Sequence, residues 1–137
     1  MKTIYLILVI ILSVSCCAQN NTETISINYN ASTRGNSLKI YVSNRLISYK
    51  SEESEKQLKL TKKEWNKLIK ILNAIDLAKV HSFTPPSNNS AVDAAMQANL
   101  SIKIKGSIYD SQTFDHKNPP QELKLLLDEI FKLIQLD

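Results

Sequence analysis

Residues 38–75 read LKIYVSNRLISYKSEESEKQLKLTKKEWNKLIKILNAI, and the spacing of the apolar side chains changes within them. As far as residue 50, apolar and polar residues alternate, which predicts strands with one buried face. From Trp65 onward the apolar residues recur every three or four positions, which predicts an amphipathic helix. Thr61 and Glu64 have the spacing of a capping box, so we expect the helix to begin there.

Four short strands are expected before this helix, because apolar and polar residues alternate in each of them. They cover residues 25–29, 38–43, 46–50 and 57–60. The fourth would be an edge strand. Residues 30–37 contain Asn, Ser, Thr and Gly and predict a turn-rich loop, whereas Asn44-Arg45 predicts a two-residue break.

Beyond the helix, residues 81–93 predict a loop long enough to suggest a functional role. Residues 94–105 and 108–114 predict two strands joined as a hairpin. A second amphipathic helix follows them, and we expect Asn118 to cap it, with a proline in its first turn.

These elements follow the order β-β-β-(β)-α-β-β-α. The order predicts an α+β fold, with a single antiparallel sheet of about five strands and two amphipathic helices packed on one face. We expect this single domain to occupy residues 24–137. A chain of 137 residues has room for one such core.

The first 18 residues predict a signal peptide. A basic start is followed by an apolar run at residues 4–12, which is too short to cross about 30 Å of hydrocarbon. Small residues come next, as expected before a peptidase cleavage site. The pattern predicts an exported protein.

The end of the signal peptide leaves three processing sites open. Ser15-Cys16 resembles a bacterial lipobox, in which the cysteine is lipidated, although the family pattern places an apolar residue where Ser13 stands. Cys17 is the second candidate for lipidation, and ordinary cleavage after Ala18 is the third. Residues 19–23 would form a polar tether. Lipidation would anchor the protein to a membrane. The expected location is the periplasm, with the anchor in the outer membrane.

Composition excludes several classes of protein. Two Gly residues are too few for a glycine-rich phosphate loop, and two His with two Cys are too few for a Cys/His zinc scaffold. Both cysteines belong to the signal peptide, so no disulfide is expected in the domain. The net charge is a mild +4, and the aromatic residues do not alternate with basic ones, so no nucleic-acid partner is expected. No cofactor is expected either.

Two predicted loops collect the residues that could carry chemistry. His81 and Asp93 lie in the long loop. Asp115 and His116 lie in the segment before the last helix, residues 115–120, which we call the connector. Because the hairpin between them is antiparallel, both loops should meet at one end of the sheet. These side chains could bind a ligand, hold a divalent metal or support acid–base chemistry with a nearby serine. The commoner roles are a surface histidine and an aspartate that stabilises its own loop.

Arg34 is a further candidate for ligand binding, because lysine supplies nearly all of the other positive charges in this chain. The guanidinium group forms paired hydrogen bonds that lysine cannot reproduce. Arg34 could therefore bind an anionic ligand. Alternatively, it could fix its loop to a carboxylate such as Asp93 or Asp115.

Two segments resemble small exported proteins and lipoproteins of Bacteroidota type. They are Ser32-Thr-Arg-Gly35 after a strand and Phe114-Asp-His-Lys-Asn-Pro-Pro120 before a Leu-rich helix. The resemblance implies a periplasmic or outer-membrane location and carries no assigned activity.

We therefore expect an exported, lipid-anchored binding domain without enzyme activity. One alternative is an inhibitor or immunity-type protein that neutralises a toxin or hydrolase, with a protein partner in the periplasm. The other is a metal-dependent hydrolase that uses the loops of His81 and His116.

Overall fold

A computed structural model describes residues 24–87 and 96–135. The predicted signal peptide, Cys16, Cys17, the tether and Asp93 lie outside these residues. Seven strands, two α-helices and a short 3-10 helix (Leu77–Ser82) are present in the described part. They are β1 (Ser26–Thr33), β2 (Asn36–Ser43), β3 (Leu46–Ser51), β4 (Glu55–Lys59), α1 (Lys62–Asn73), β5 (Gln97–Ile104), β6 (Ser107–Asp110), β7 (Phe114–Asp115) and α2 (Gln121–Leu133).

The strands form one antiparallel sheet in the order β4-β3-β2-β1-β5-β6, and β7 pairs with β5. The predicted α+β fold with a single antiparallel sheet is confirmed, but the sheet has seven strands rather than about five. The predicted strand at 108–114 is two strands, β6 and β7. Between them, the Ser111 hydroxyl accepts the hydrogen bond from the Leu100 amide, so a side chain takes a place that a strand carbonyl would hold.

The predicted loop at 30–37 is wrong, because β1 and β2 continue through most of it. Ala31 is buried on the inner face of the sheet, and the polar side chains beside it, Asn30 and Ser32, are exposed on the outer face. Their polarity marks the exposed face of a strand and not a loop. The turn itself is Arg34-Gly35, where Gly35 adopts a φ of +83°.

The hydrophobic core lies between the inner face of the sheet and the two helices. Alternate residues of β1, β2 and β5 join the apolar stripes of α1 and α2 in one buried cluster. Its largest fully buried members include Tyr29, Phe114, Leu68 and Leu126. The opposite face of the sheet carries mainly Asn, Ser, Lys and Gln side chains. None of the helices in the described part is long and apolar enough to cross a membrane.

The two helices begin in different ways. The predicted capping box of α1 is confirmed, because the Glu64 amide donates to the Thr61 hydroxyl and the Thr61 amide donates to the Glu64 carboxylate. The predicted cap of α2 is wrong, because Pro120 stands at that position and makes no side-chain cap bond. The Asn118 side chain donates to Ser87 instead.

Replacing Thr61 with Ala should lower the free energy of unfolding by about 1 kcal/mol, the usual loss for an N-cap hydroxyl. Urea denaturation followed by circular dichroism measures it. Thr113→Ala, in an exposed segment outside the helices, is the matched control and should have little effect. Equal stability of the two variants would show that the capping box does not contribute.

Candidate functional site

A pocket of about 370 Å³ opens at one end of the sheet, and we call it the sheet-end pocket. Three segments meet there: the β1–β2 turn at Gly35, the β3–β4 turn at Glu52 and Glu53, and the connector after β7 at His116 and Lys117. Its volume suits a small molecule. The remaining wall is partly apolar and is formed by Leu38, Tyr49, Met96 and Phe131, with Asn36, Ser37 and Ser51.

His116 connects the sheet-end pocket to the core. Its Nδ1 lies 2.7 Å from the hydroxyl oxygen of Tyr29, whose side chain is 1% exposed. The ring of Phe131 contacts the rings of His116 and Tyr29 edge-on. Its centroid lies 6.1 Å from the His116 centroid and 5.3 Å from the Tyr29 centroid. The imidazole is therefore held from two sides, and the connector is fixed to the end of the sheet.

The hydrogen bonds of Tyr29 favour one proton position on His116. The Tyr29 hydroxyl accepts a bond from the Lys117 backbone amide, and burial raises the pKa of Tyr29, so its proton remains in place. That proton is free to point at Nδ1 of His116. The imidazole then carries its own proton on Nε2, and Nε2–H is the donor that His116 can offer to the sheet-end pocket.

The surroundings of His116 favour its neutral form. Burial lowers the pKa of His116, and the positive charge of Lys117 lowers it further. The formal charges of the sheet-end pocket are therefore Lys117 on the connector and Glu52 and Glu53 on the β3–β4 turn. Glu52 is also oriented by the Ser37 hydroxyl, which donates to its Oε1 at 2.7 Å.

Asp115 has a different environment from His116, although the two are adjacent in the chain. Its side chain is buried, and its Oδ2 accepts a hydrogen bond from the Ser87 hydroxyl. Asn118 donates to the same serine, and its backbone amide donates to the Asp115 carbonyl. These bonds tie the connector to the segment before residue 88, which is the loop-stabilising role rather than ligand binding.

His81 and Arg34 are both exposed. His81 lies near the end of the 3-10 helix, so the loop predicted at 81–93 begins inside a helical segment, and its carbonyl accepts a bond from the Gln112 side chain. Arg34 makes no salt bridge with Asp115 or with any other carboxylate of the described residues. It adjoins Gly35, which lines the sheet-end pocket.

The described residues contain no group of three or more His, Cys, Asp or Glu side chains that could hold a metal ion. His116 thus reaches a pocket, but the structure does not gather His81, Asp115 and His116 around a common point. Asp93 lies outside the described residues.

Four residues that line the pocket are not predicted as site residues: Glu52, Glu53, Lys117 and Phe131. Neither is Tyr29, which lies in the core and bonds to His116. One signal could have found Tyr29. It occupies an inward position of an alternating strand, and a buried tyrosine hydroxyl requires a hydrogen-bond partner. The acidic pair at 52–53 has no spacing that predicts a site, because its neighbours in the pocket come from distant segments of the chain.

No protein-family model matches this chain, and no curated protein matches its sequence significantly. Any function therefore has to be argued from the chemistry of the sheet-end pocket and from the sequence.

We expect stability to fall as the pH is lowered from about 7.5 to about 5.5. The pKa of His116 is lower in the folded protein than in the unfolded chain, so the unfolded chain binds more protons in this range. His116→Gln should flatten this part of the profile of unfolding free energy against pH. His81→Gln, which alters an exposed histidine, is the matched control and should retain the wild-type slope. A wild-type slope in His116→Gln would contradict the claim that the lowered pKa of His116 causes the pH dependence.

Proposed function

We propose that this protein is an exported, lipid-anchored binding domain that holds a small zwitterionic ligand, such as a short peptide, in the sheet-end pocket without chemical change. One observation carries the proposal. The pocket has a hydrogen-bond donor at His116, a cation at Lys117, and carboxylates at Glu52 and Glu53. The rest of its wall is partly apolar.

Each part of such a ligand has a matching group. A ligand carboxylate can accept from Nε2–H of His116 and pair with the Lys117 ammonium group. A ligand ammonium group can pair with Glu52 or Glu53. Apolar side chains of the ligand can pack on Met96 and Phe131, and this mixture of apolar wall with a few polar groups is typical of ligand pockets.

The hydrogen bonds around His116 favour binding over nucleophilic catalysis. A serine nucleophile needs an imidazole nitrogen within hydrogen-bond distance. The pocket serines bond elsewhere: the Ser37 hydroxyl donates to Glu52, and the Ser51 hydroxyl donates to the Ser54 carbonyl. Nδ1 of His116 is engaged by Tyr29. These contacts give no support to a serine nucleophile. Among the described residues, no specific contact favours the metal-dependent hydrolase or the inhibitor alternative.

Export and anchoring are supported by residues 1–18, with their apolar run and the cysteines at 16 and 17. A lipid anchor and polar tether would hold the domain near a membrane and leave the sheet-end pocket accessible to periplasmic solutes.

Ligand binding is tested by NMR titration with the dipeptide leucyl-leucine. We expect saturable shifts of the Met96 methyl and His116 ring resonances. The doubly blocked analogue, N-acetyl-leucyl-leucine amide, should bind at least about tenfold more weakly, because both charge pairs are lost. Glu52→Gln with Glu53→Gln should weaken dipeptide binding, and Asp110→Asn, on an exposed remote strand, is the matched control. Equal binding of both compounds, or binding of neither, would overturn the proposed ligand class.

Lipid anchoring is tested by labelling cells that express the full chain with radioactive palmitate. We expect labelled protein in the membrane fraction. Of the two variants Cys16→Ala and Cys17→Ala, one should lose the label and the other should keep it. The variant that loses the label identifies the lipidated cysteine. Unlabelled, freely soluble wild-type protein would contradict the anchor.

A further inference from the structure

The outermost strand β4 has one free edge. It pairs with β3 on one side and has no neighbouring strand on the other among the described residues. All five of its residues are exposed. At the other edge of the sheet, the 3-10 helix lies against the edge strand β6, so the two edges are not equivalent.

The register with β3 shows which backbone groups of β4 face outward. The Leu60 amide donates to the Arg45 carbonyl at 2.7 Å, and the Ser51 amide donates to the Ser54 carbonyl at 2.8 Å. Both pairs continue the β3–β4 register, in which hydrogen-bonded pairs alternate with non-bonded ones. The backbone groups that face away from β3 therefore belong to Glu55, Gln57 and Lys59.

The sequence of β4, EKQLK, is complementary to itself when two copies run antiparallel. With Gln57 opposite Gln57 of a second copy, each Glu55 faces a Lys59. All three facing residues have outward backbone groups, so each pair can exchange two hydrogen bonds. We propose that two copies of this chain associate in this register and join their sheets edge to edge into one continuous sheet.

The charges select this register. A shift by two residues in one direction places Glu55 opposite Gln57, with Lys56 opposite itself. The opposite shift places Lys59 opposite Gln57. Among these three registers, only the proposed one places Glu55 of each copy opposite Lys59 of the other. Opposite charges on facing residues stabilise paired strands, and like charges destabilise them.

The existing ion pair of β4 is compatible with this arrangement. The Lys50 ammonium lies 3.2 Å from the Glu55 carboxylate, and both side chains are exposed. In the dimer, Glu55 would lie between Lys50 of its own chain and Lys59 of the second copy. On the inner face, Leu58 is 42% exposed and would be covered by the stem of Lys56 from the second copy.

Edge lysines often prevent sheets from joining. Here the lysine at one end of β4 is matched by a glutamate at the other, so the same charges that repel unrelated strands attract a second copy. The contact involves five residues from each chain, which indicates a weak, concentration-dependent dimer rather than an obligate one.

Analytical ultracentrifugation of the purified full-length chain in mild detergent, across a concentration series, tests the proposal. Wild-type protein should dimerise, and Glu55→Lys and Lys59→Glu should each remain monomeric because like charges then face each other. An equimolar mixture of the two variants should recover dimers, since opposite charges then face each other at both ends of the paired strands. Recovery in the mixture also shows that both variants are folded.

Two matched controls carry the same charge changes elsewhere on the sheet: Lys103→Glu on β5 and Asp110→Lys on β6 should both dimerise as wild type does. A wild-type chain that stays monomeric at every concentration would overturn the proposal. Dimers that persist in both single variants, or a mixture that stays monomeric, would overturn the proposed register.

Discussion

The hydroxyl of Tyr29 is a polar group inside an apolar core, and the arrangement at one end of the molecule follows from the need to satisfy it. The alternation of β1 turns this side chain inward, where leaving its hydroxyl unpaired would cost about 1–3 kcal/mol. Nδ1 of His116 and the Lys117 amide supply its partners. To reach them, the connector must cross the end of the sheet, and there it forms one wall of the sheet-end pocket.

The same bond links packing to chemistry. A histidine held by a buried tyrosine has a defined orientation and a single favoured tautomer, so it presents Nε2–H and no net charge to the sheet-end pocket. The charged groups stand on Lys117 and on the β3–β4 turn. A rigid neutral donor between opposite charges can orient a ligand without attacking it. This separation of charge is the physical basis for the proposed zwitterionic ligand.

The fold was largely predictable because its decisive signals are local. The change of period near Thr61 and the capping box locate α1 without any long-range information. The errors came from residues whose role depends on pairing with other strands. Asn30 and Ser32 predict a loop by their residue types, and only pairing with β2 and β5 shows that they occupy an exposed strand face.

The site was less predictable than the fold for the same reason. The hairpin argument correctly places the connector at one end of the sheet, and His116 does line a pocket there. Its neighbours, however, come from the β1–β2 and β3–β4 turns, which antiparallel pairing brings to that end. Asp115 has the residue type of a ligand-binding group, but hydrogen bonding to Ser87 directs it to the connector. No spacing in the sequence distinguishes these two roles.

The tautomer of His116 is the most direct test of this account. Long-range ¹H–¹⁵N NMR correlation at about pH 7 measures which ring nitrogen carries the proton. We predict a neutral ring protonated at Nε2 in the wild-type protein. We also predict loss of this preference in Tyr29→Phe, with Tyr41→Phe, an exposed tyrosine, as the unchanged control. A proton on Nδ1, or a fully charged ring, would contradict the claim that Tyr29 positions His116.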